Sequence, residues 1–475
     1  MLENRDSLLE CIRRIEVQEA IFLASPVLFM EIEKYIKMLD GNEESTNKVV
    51  LSCVRYISRM STRCTPFGLF AGCGVGRVGD REEATNIIIN SSIDKITRLD
   101  MYYLLSLYNV LILKMDFRYR VKYYPNTTLY KIGKRFRYIE ILYTNVKRKY
   151  QITEVSNFYY VNKLLQIAQK GANIKTLTSI LISDGISEES ADKFVNDLID
   201  SQVLVPELNQ SVTGEDFFMR FISLLNSISD SDDSVLIELR KVKLLLDQLN
   251  STIDSYSFKL YDEIIEKLKK LGGSYEKQFV FQVDMKRKSS YSVLNSDIIN
   301  EIKLAMNFLS KITMFQKNEM LSRFKQDFYN RYEDREVALL EVLDPEIGIG
   351  YPSKVGGQIS SSLINDLMLP RDDQRGDSLY NRIQSTLFQK IISSSNKFRE
   401  LEVELTDADV EGLETNIDAL PPTICAMVDI VCADPKNICI KLRSCGGSSA
   451  ANLLSRFAHM DKEIEQLIID ITGKE

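Results

Sequence analysis

Arg55-Tyr-Ile-Ser-Arg59-Met-Ser-Thr-Arg63-Cys64-Thr65-Pro66-Phe67-Gly68-Leu69-Phe70 is the most informative run in this chain of 475 residues. Its arginines stand four apart, so on a helix they share one face, opposite Val50, Val54, Ile57 and Ser61. Like charges at that spacing cost roughly a few tenths of a kcal/mol per pair, and an anion lying along the face offsets the cost. Pro66 cannot continue a helix, so the stripe ends at Thr65. A solvated basic face is the ordinary alternative. It is weakened here because no carboxylate occurs between Cys53 and Gly79.

Charge is segregated along the whole chain. Lys114 to Tyr150 carries eleven basic residues against Asp116 and Glu140, a local charge of +9 in a protein of net charge −7. A basic region inside an acidic protein points to a polyanion met at one place. The same stretch is rich in aromatics, and the alternation Phe117-Arg118-Tyr119-Arg120-Val121-Lys122-Tyr123 predicts antiparallel strands with one basic face. Two readings stand side by side: exposed rings on which bases stack, or rings turned to the core beneath a wet basic surface.

Composition excludes several classes. With 44% hydrophobic and 27% charged residues and 10 prolines, the chain is globular, and its length suits about three domains. Tyr103–Leu113 and Ile424–Ala433 are too short and too polar to cross a membrane. The first residues lack the basic and apolar regions of a secretory signal, so a cytoplasmic location is expected. Eight cysteines never fall at C-x2-C spacing and read as reduced small hydrophobes. The single histidine, His459, excludes His-rich metal centres, and no metal site or cofactor is expected. Gly74-Val-Gly-Arg-Val-Gly79 matches a dinucleotide pattern but runs into a polar turn and the strand Asn86–Asn90 instead of opening a helix, so it reads as strand glycines. No Walker A sequence occurs.

Periodicity predicts helices over Leu8–Leu23, Val27–Leu39 and Lys48–Arg63, then a Gly- and β-rich region over 66–150 with a short helix near Asp100–Leu113. Helices at Val161–Lys170 and Ile174–Ser183 follow, then one started by Ser187 with Glu188 and Glu189 in its first turn. An extended Val203–Leu208 closes what reads as a winged helix-turn-helix module. Such a module binds nucleic acid or captures a peptide by strand addition. Long helices occupy 214–270 around the acidic turn Asp230–Asp233, a strand covers Tyr275–Lys286, and helices resume across Ser296–Arg331. Leu343–Asp377, rich in Gly, Pro and Ser, is a candidate functional loop. Strands at Ile424–Cys432 and Ile438–Ser444 and a helix-like Ser449–Phe457 end the chain. The expected fold is α+β and multidomain, with mixed helices and antiparallel sheets divided at 1–146, 147–210 and 211–475.

The run from Arg55 to Phe70 resembles the signature of lantibiotic dehydratases, which modify ribosomally made peptides and share this region with peptide aminoacyl-tRNA ligases. Further matches follow in order: Arg98-Leu99-Asp100, Val283-Asp284-Met285, Gly348-Ile-Gly350-x-Pro352, and Gly446-Gly447 to Ser455-Arg456-Phe457. The resemblance implies a region that uses an aminoacyl-tRNA, typically glutamyl-tRNA, as co-substrate to esterify Ser and Thr side chains of a precursor peptide. By position it places Arg59, Arg63, Thr65, Asp100, Asp284 and Arg456 in the transfer site. Arg55 joins them as a basic RNA contact, and Arg118, Arg120, Lys122, Lys134, Arg135 and Arg137 are the further candidates for holding tRNA. The family's leader-peptide binder would correspond to about Lys147–Leu208.

Transfer from an activated ester chiefly needs positioned substrates and stabilised negative charge, which arginines supply without a histidine. Asp100 or Asp284 would orient an arginine or accept the hydroxyl proton. Relative to the family, the chain begins directly in its first helices and stops soon after Arg456. The expectation is therefore a transferase if complete or complemented by a companion chain, and otherwise a subunit that binds precursor peptide and tRNA without catalysis. A winged-helix gene regulator is a more distant alternative, disfavoured by where the basic charge lies.

Overall fold

The computed structural model describes the chain apart from residues 1, 38–42, 114, 145–146, 209–213, 230–232, 253–255, 274, 314–317, 352–381, 396–402 and 414–419. The described helices and strands form an α+β protein in two compact units, one of residues 1–75 and 88–291, the other of 76–87 and 292–475. Neither 146/147 nor 210/211 coincides with a boundary between them.

The first unit opens with four helices, α1 (Leu2–Arg13), α2 (Ile15–Ala24), α3 (Pro26–Lys37) and α4 (Glu43–Thr62). The single helix expected over Leu8–Leu23 is broken at Arg14, whose backbone is extended. Ile12, Ile21, Ile32 and Cys53 form the shared core, with Val49, Tyr56, Ile57 and Met60 packed on it. That corrects the inner face of α4. Val54 is exposed, and the buried stripe runs 49, 53, 56, 57 and 60, because Cys53 and the Tyr56 ring serve as apolar groups at 3.6-residue spacing.

Next in the chain, β1 (Arg77–Gly79) and β2 (Asn86–Leu99) precede α5 (Met101–Leu113) and α6 (Met115–Arg120). Here the alternation in Phe117–Tyr123 misled. Phe117 and Val121 are buried four residues apart, a helical spacing, and only Tyr123–Pro125 is strand (β3). The predicted antiparallel strands begin later, as β4 (Tyr130–Ile132), β5 (Arg135–Thr144) and β6 (Lys147–Ser156) in that order across one sheet. Three helices follow, α7 (Tyr159–Ala168), α8 (Ile174–Ser183) and α9 (Glu188–Asp200), and then β7 (Leu204–Pro206), antiparallel to β3. Ser187 caps α9 as its position predicted, accepting the Ser190 N–H. The core of these helices includes Val121, Tyr123 and Tyr138, and the β5–β6 ladder runs from Arg135↔Ser156 to Thr144↔Lys147. The helices therefore pack as one body with residues that precede 147.

A larger core joins α5 to α10 (Phe217–Ile228), α11 (Ser234–Asn250) and α12 (Tyr256–Leu271). Leu104, Leu107, Phe221, Leu239, Ile264 and Leu268 are buried there, each contributing about 1.5–3 kcal/mol. Of the acidic turn Asp230–Asp233, only Asp233 is among the described residues, and it caps α11. Strand β8 (Phe281–Asn295) lies beside β2, and its last residues pair in parallel with β1.

The second unit contains α13 (Ser296–Ile312), α14 (Glu319–Tyr332), α15 (Leu339–Leu343) and α16 (Arg382–Ser395), then the hairpin β9 (Cys425–Asp434) and β10 (Asn437–Gly446). The expected Ser449–Phe457 helix is shorter, α17 (Ala451–Leu454), and continues as a tighter turn to Met460 before α18 (Lys462–Thr472). Val293, Ile298, Val342, Phe457 and Ile464 are among its buried residues. Most of the loop Leu343–Asp377 lies outside the described residues.

Candidate functional site

The arginine stripe stands where the spacing placed it. Arg55 and Arg59 lie on α4, and the Arg63 N–H still bonds the Arg59 carbonyl at 3.1 Å, so all three point from one helical face. They are exposed and line a pocket of about 560 Å³ together with Tyr56, Phe67 and Phe70. Among the described residues no carboxylate pairs with any of them, so the pocket is cationic and open to an anion.

The residues after the stripe shape that pocket. Thr65-Pro66 ends the helix, and Gly68 takes φ +49, the left-handed turn that glycine adopts without strain. Phe67 and Ala71 then pair across the turn, with the Phe67 N–H donating to the Ala71 carbonyl at 3.0 Å. This turn brings the Phe67 ring 4.2 Å beneath the Arg59 guanidinium, with Phe70 at 5.8 Å. Tyr56 packs edge-on against Phe70, so the aromatic floor is itself held. Thr65 is exposed in the turn and is not part of the pocket wall.

From this turn the chain runs directly alongside β8. Cys73 donates to the Met285 carbonyl at 3.1 Å, and Arg287 donates to the Cys73 carbonyl at 2.8 Å. Gly72 permits the approach: a Cβ there would lie 2.4 Å from the Met285 carbonyl oxygen. Gly72→Ala is expected to destabilise the protein by about 1–3 kcal/mol through forced backbone displacement. A urea-unfolding midpoint unchanged from the parent would contradict that close contact.

Asp284 precedes Met285 and is buried, 3% exposed. Its carboxylate faces the Arg98 guanidinium of β2 at 3.6 Å. Asp100 does different work: its carboxylate accepts the Tyr102 N–H at 2.8 Å and caps α5, while its own N–H bonds the Val280 carbonyl. Two motifs far apart in sequence are thus one structure, Arg98-Leu99-Asp100 held against Val280–Asp284. Arg98 was not among the residues singled out by the sequence, although its own motif contained the signal.

The remaining predicted positions each have their own surroundings. Arg118 is buried, ion-paired to Asp200 at 2.6 Å and hydrogen-bonded to Asn196, so its charge is satisfied inside the protein. Arg120, Lys122 and Lys134 are exposed. Arg135 and Arg137 share Glu154 on β6, which halves their net charge. In the second unit, the exposed Arg456 lies over the Phe457 ring at 4.7 Å. There too, the Gly348 and Ile347 carbonyls accept the Arg331 guanidinium at 2.7 and 2.6 Å; Pro352 lies outside the described residues.

A family model described as lantibiotic dehydratase, N terminus, matches residues 13–471. The chain belongs to that family. It is 22% identical to the subtilin biosynthesis protein SpaB of Bacillus subtilis, over 96% of this chain and 43% of SpaB. Its fold is similar to that of the tRNA-dependent lantibiotic dehydratase MibB from Microbispora sp. 107891, with TM-score 0.74 and 19% identity over 95% of this chain and 45% of MibB. The glutamylation domain of TbtB, from thiomuracin biosynthesis, superposes with TM-score 0.60 and 13% identity over 97% of this chain and 56% of TbtB. The chain spans less than half the length of SpaB and MibB. No described helix of this lantibiotic dehydratase family member is long and apolar enough to cross a membrane.

Proposed function

We propose that this chain performs, or forms the binding half of, tRNA-dependent aminoacylation of a ribosomally made precursor peptide, with glutamyl-tRNA as co-substrate and Ser or Thr side chains as acceptors. The observation that carries the reading is the open pocket of Arg55, Arg59 and Arg63 over an aromatic floor, in a member of the lantibiotic dehydratase family. Guanidinium forks suit phosphates at an RNA 3′ end and the carboxylate of a glutamyl group.

In the transfer, the acceptor hydroxyl oxygen attacks the glutamyl ester carbonyl, and the tRNA ribose oxygen leaves with the proton that the acceptor gives up. Arginines beside the developing oxyanion stabilise it without moving, the form of catalysis that needs no histidine. Asp284 is buried with the Arg98 guanidinium 3.6 Å away, whereas an Asp100 oxygen is engaged in the cap of α5, so Asp284 suits the holding of an arginine better than Asp100 does. The precursor's leader would bind the region of 147–208, pairing with the outer edge of β6, where Tyr150 and Ile152 are exposed.

A second reading rests on the same pocket, whose exposed cations and rings require only binding: a subunit that holds tRNA and precursor without itself carrying out the transfer. Incubation with a Ser/Thr-rich precursor and charged tRNA, followed by mass spectrometry of the peptide, separates them. Addition of one glutamyl residue supports transfer by this chain alone. Binding of both substrates without a mass change supports the subunit, and binding of neither removes both readings.

A further inference from the structure

Four of the eight cysteines, Cys425, Cys432, Cys439 and Cys445, lie on the single hairpin β9–β10 of the second unit. Two of them, Cys432 and Cys439, are direct partners across the ladder. Opposed residues on antiparallel strands have Cα atoms about 4.5–5.5 Å apart, inside the span of about 4.4–6.8 Å that a disulfide bridges. They also share one face of the hairpin, so their side chains lie side by side. Cys439 is exposed and Cys432 half-buried, and both are free thiols. A register shift directly follows Cys439 and increases the local twist of the pair.

The second pair differs. Cys445 is opposite Ala426 and Cys425 opposite Gly446, so these two thiols are offset by one residue and are not partners across the ladder. Burial raises the pKa of each above the ordinary thiol value, and Cys445 raises that of Cys425 further. The Cys425 Sγ also donates to the Ala450 carbonyl. These two are the less reactive thiols of the hairpin.

We propose that Cys432 and Cys439 form a redox-modification site, oxidised to a cross-strand disulfide by small-molecule disulfides and reopened by thiols. The Cys439 thiolate attacks one sulfur of oxidised glutathione, breaking its S–S bond and releasing one glutathione thiolate. The Cys432 thiolate then attacks the Cys439 sulfur of the mixed disulfide and expels the second glutathione. Two protein thiols are oxidised and one glutathione disulfide is reduced to two thiols, with the protons given up by the protein thiols taken up by the glutathione thiolates. The bond fixes the register of β9 against β10. The site stands apart from the arginine pocket in sequence and does not depend on the proposed function.

The test uses the full chain, equilibrated in glutathione mixtures of increasing oxidising strength, alkylated and digested with trypsin. Lys436 lies between the two cysteines, so cleavage after it leaves two joined peptides, and their fragmentation shows whether Cys432 or Cys425, which share one of them, carries the bond to Cys439. The expected result is that pair, lost on reduction, with Cys425 and Cys445 alkylated throughout. Cys432→Ser is expected to halt at the glutathione adduct on Cys439, whereas Cys425→Ser and Cys445→Ser leave the joined pair intact. Full alkylation of all four cysteines under oxidising conditions would overturn the proposal. So would a bond through Cys425 or Cys445, or a bond between two chains.

Discussion

Replacing Arg59 and Arg63 together by glutamine is expected, on the proposed function, to lower affinity for glutamyl-tRNA by about 100-fold at moderate ionic strength, two charge-assisted contacts of about 1.4 kcal/mol or more each being lost. The salt dependence changes as well. Each phosphate contact to a single strand contributes about −0.7 to the slope of log affinity against log salt, so the slope flattens by roughly 1.4. Both arginines are exposed at the pocket, and Arg59 rests on a ring rather than on a carboxylate, so the double variant leaves no buried charge behind. Far-UV circular dichroism is expected to be unchanged while a filter-binding titration shifts. Equal affinity in parent and variant would remove the pocket from RNA recognition altogether.

A second large effect lies away from the pocket. Glu19 on α2 and Lys95 on β2 are almost fully buried, with Nζ to Oε1 at 2.5 Å. Lys95 also donates to the Thr252 carbonyl at 2.9 Å, and the Tyr261 hydroxyl of α12 donates to Glu19 at 3.0 Å. Burial, then the neighbouring carboxylate, pushes the Tyr261 phenol far above its ordinary pKa, so it stays a neutral donor. This network ties the first helices, the strand that leads to Arg98 and the central helices together. Lys95→Met is expected to destabilise the protein by about 3–5 kcal/mol, since it strands the buried Glu19 charge. The double variant Lys95→Met, Glu19→Met recovers most of that loss, because two apolar side chains leave no charge unpaired. Urea unfolding followed by circular dichroism reads both. A double variant as unstable as the single one would refute the ion-pair account.

Several features of the fold are legible from local pattern. The spacing of Arg55, Arg59 and Arg63 marks a helix face, Ser187 marks a cap, and the glycines at 74–79 read correctly as strand neighbours rather than a nucleotide loop. Alternation failed at Phe117–Tyr123, where periods of two and of four both fit a short run and only the burial of Phe117 and Val121 chose between them. Arg118 likewise read as an outward cation, and the distant Asp200 turned it into an internal pair.

The alignment of three arginines on one helical face ahead of a Thr-Pro stop follows from the order of residues alone, because helical period and proline stereochemistry are local properties. The family's motifs stand in that order too. Folding was needed to bring Phe67 beneath Arg59, to set Arg98 against Asp284, and to bury Glu19 and Lys95 together. The turn at Gly68 makes the first of these contacts; the other two depend on chain segments brought side by side by core packing, and on desolvation that no spacing rule encodes, since whether a charge lies in water or in the core is set by neighbours remote in sequence.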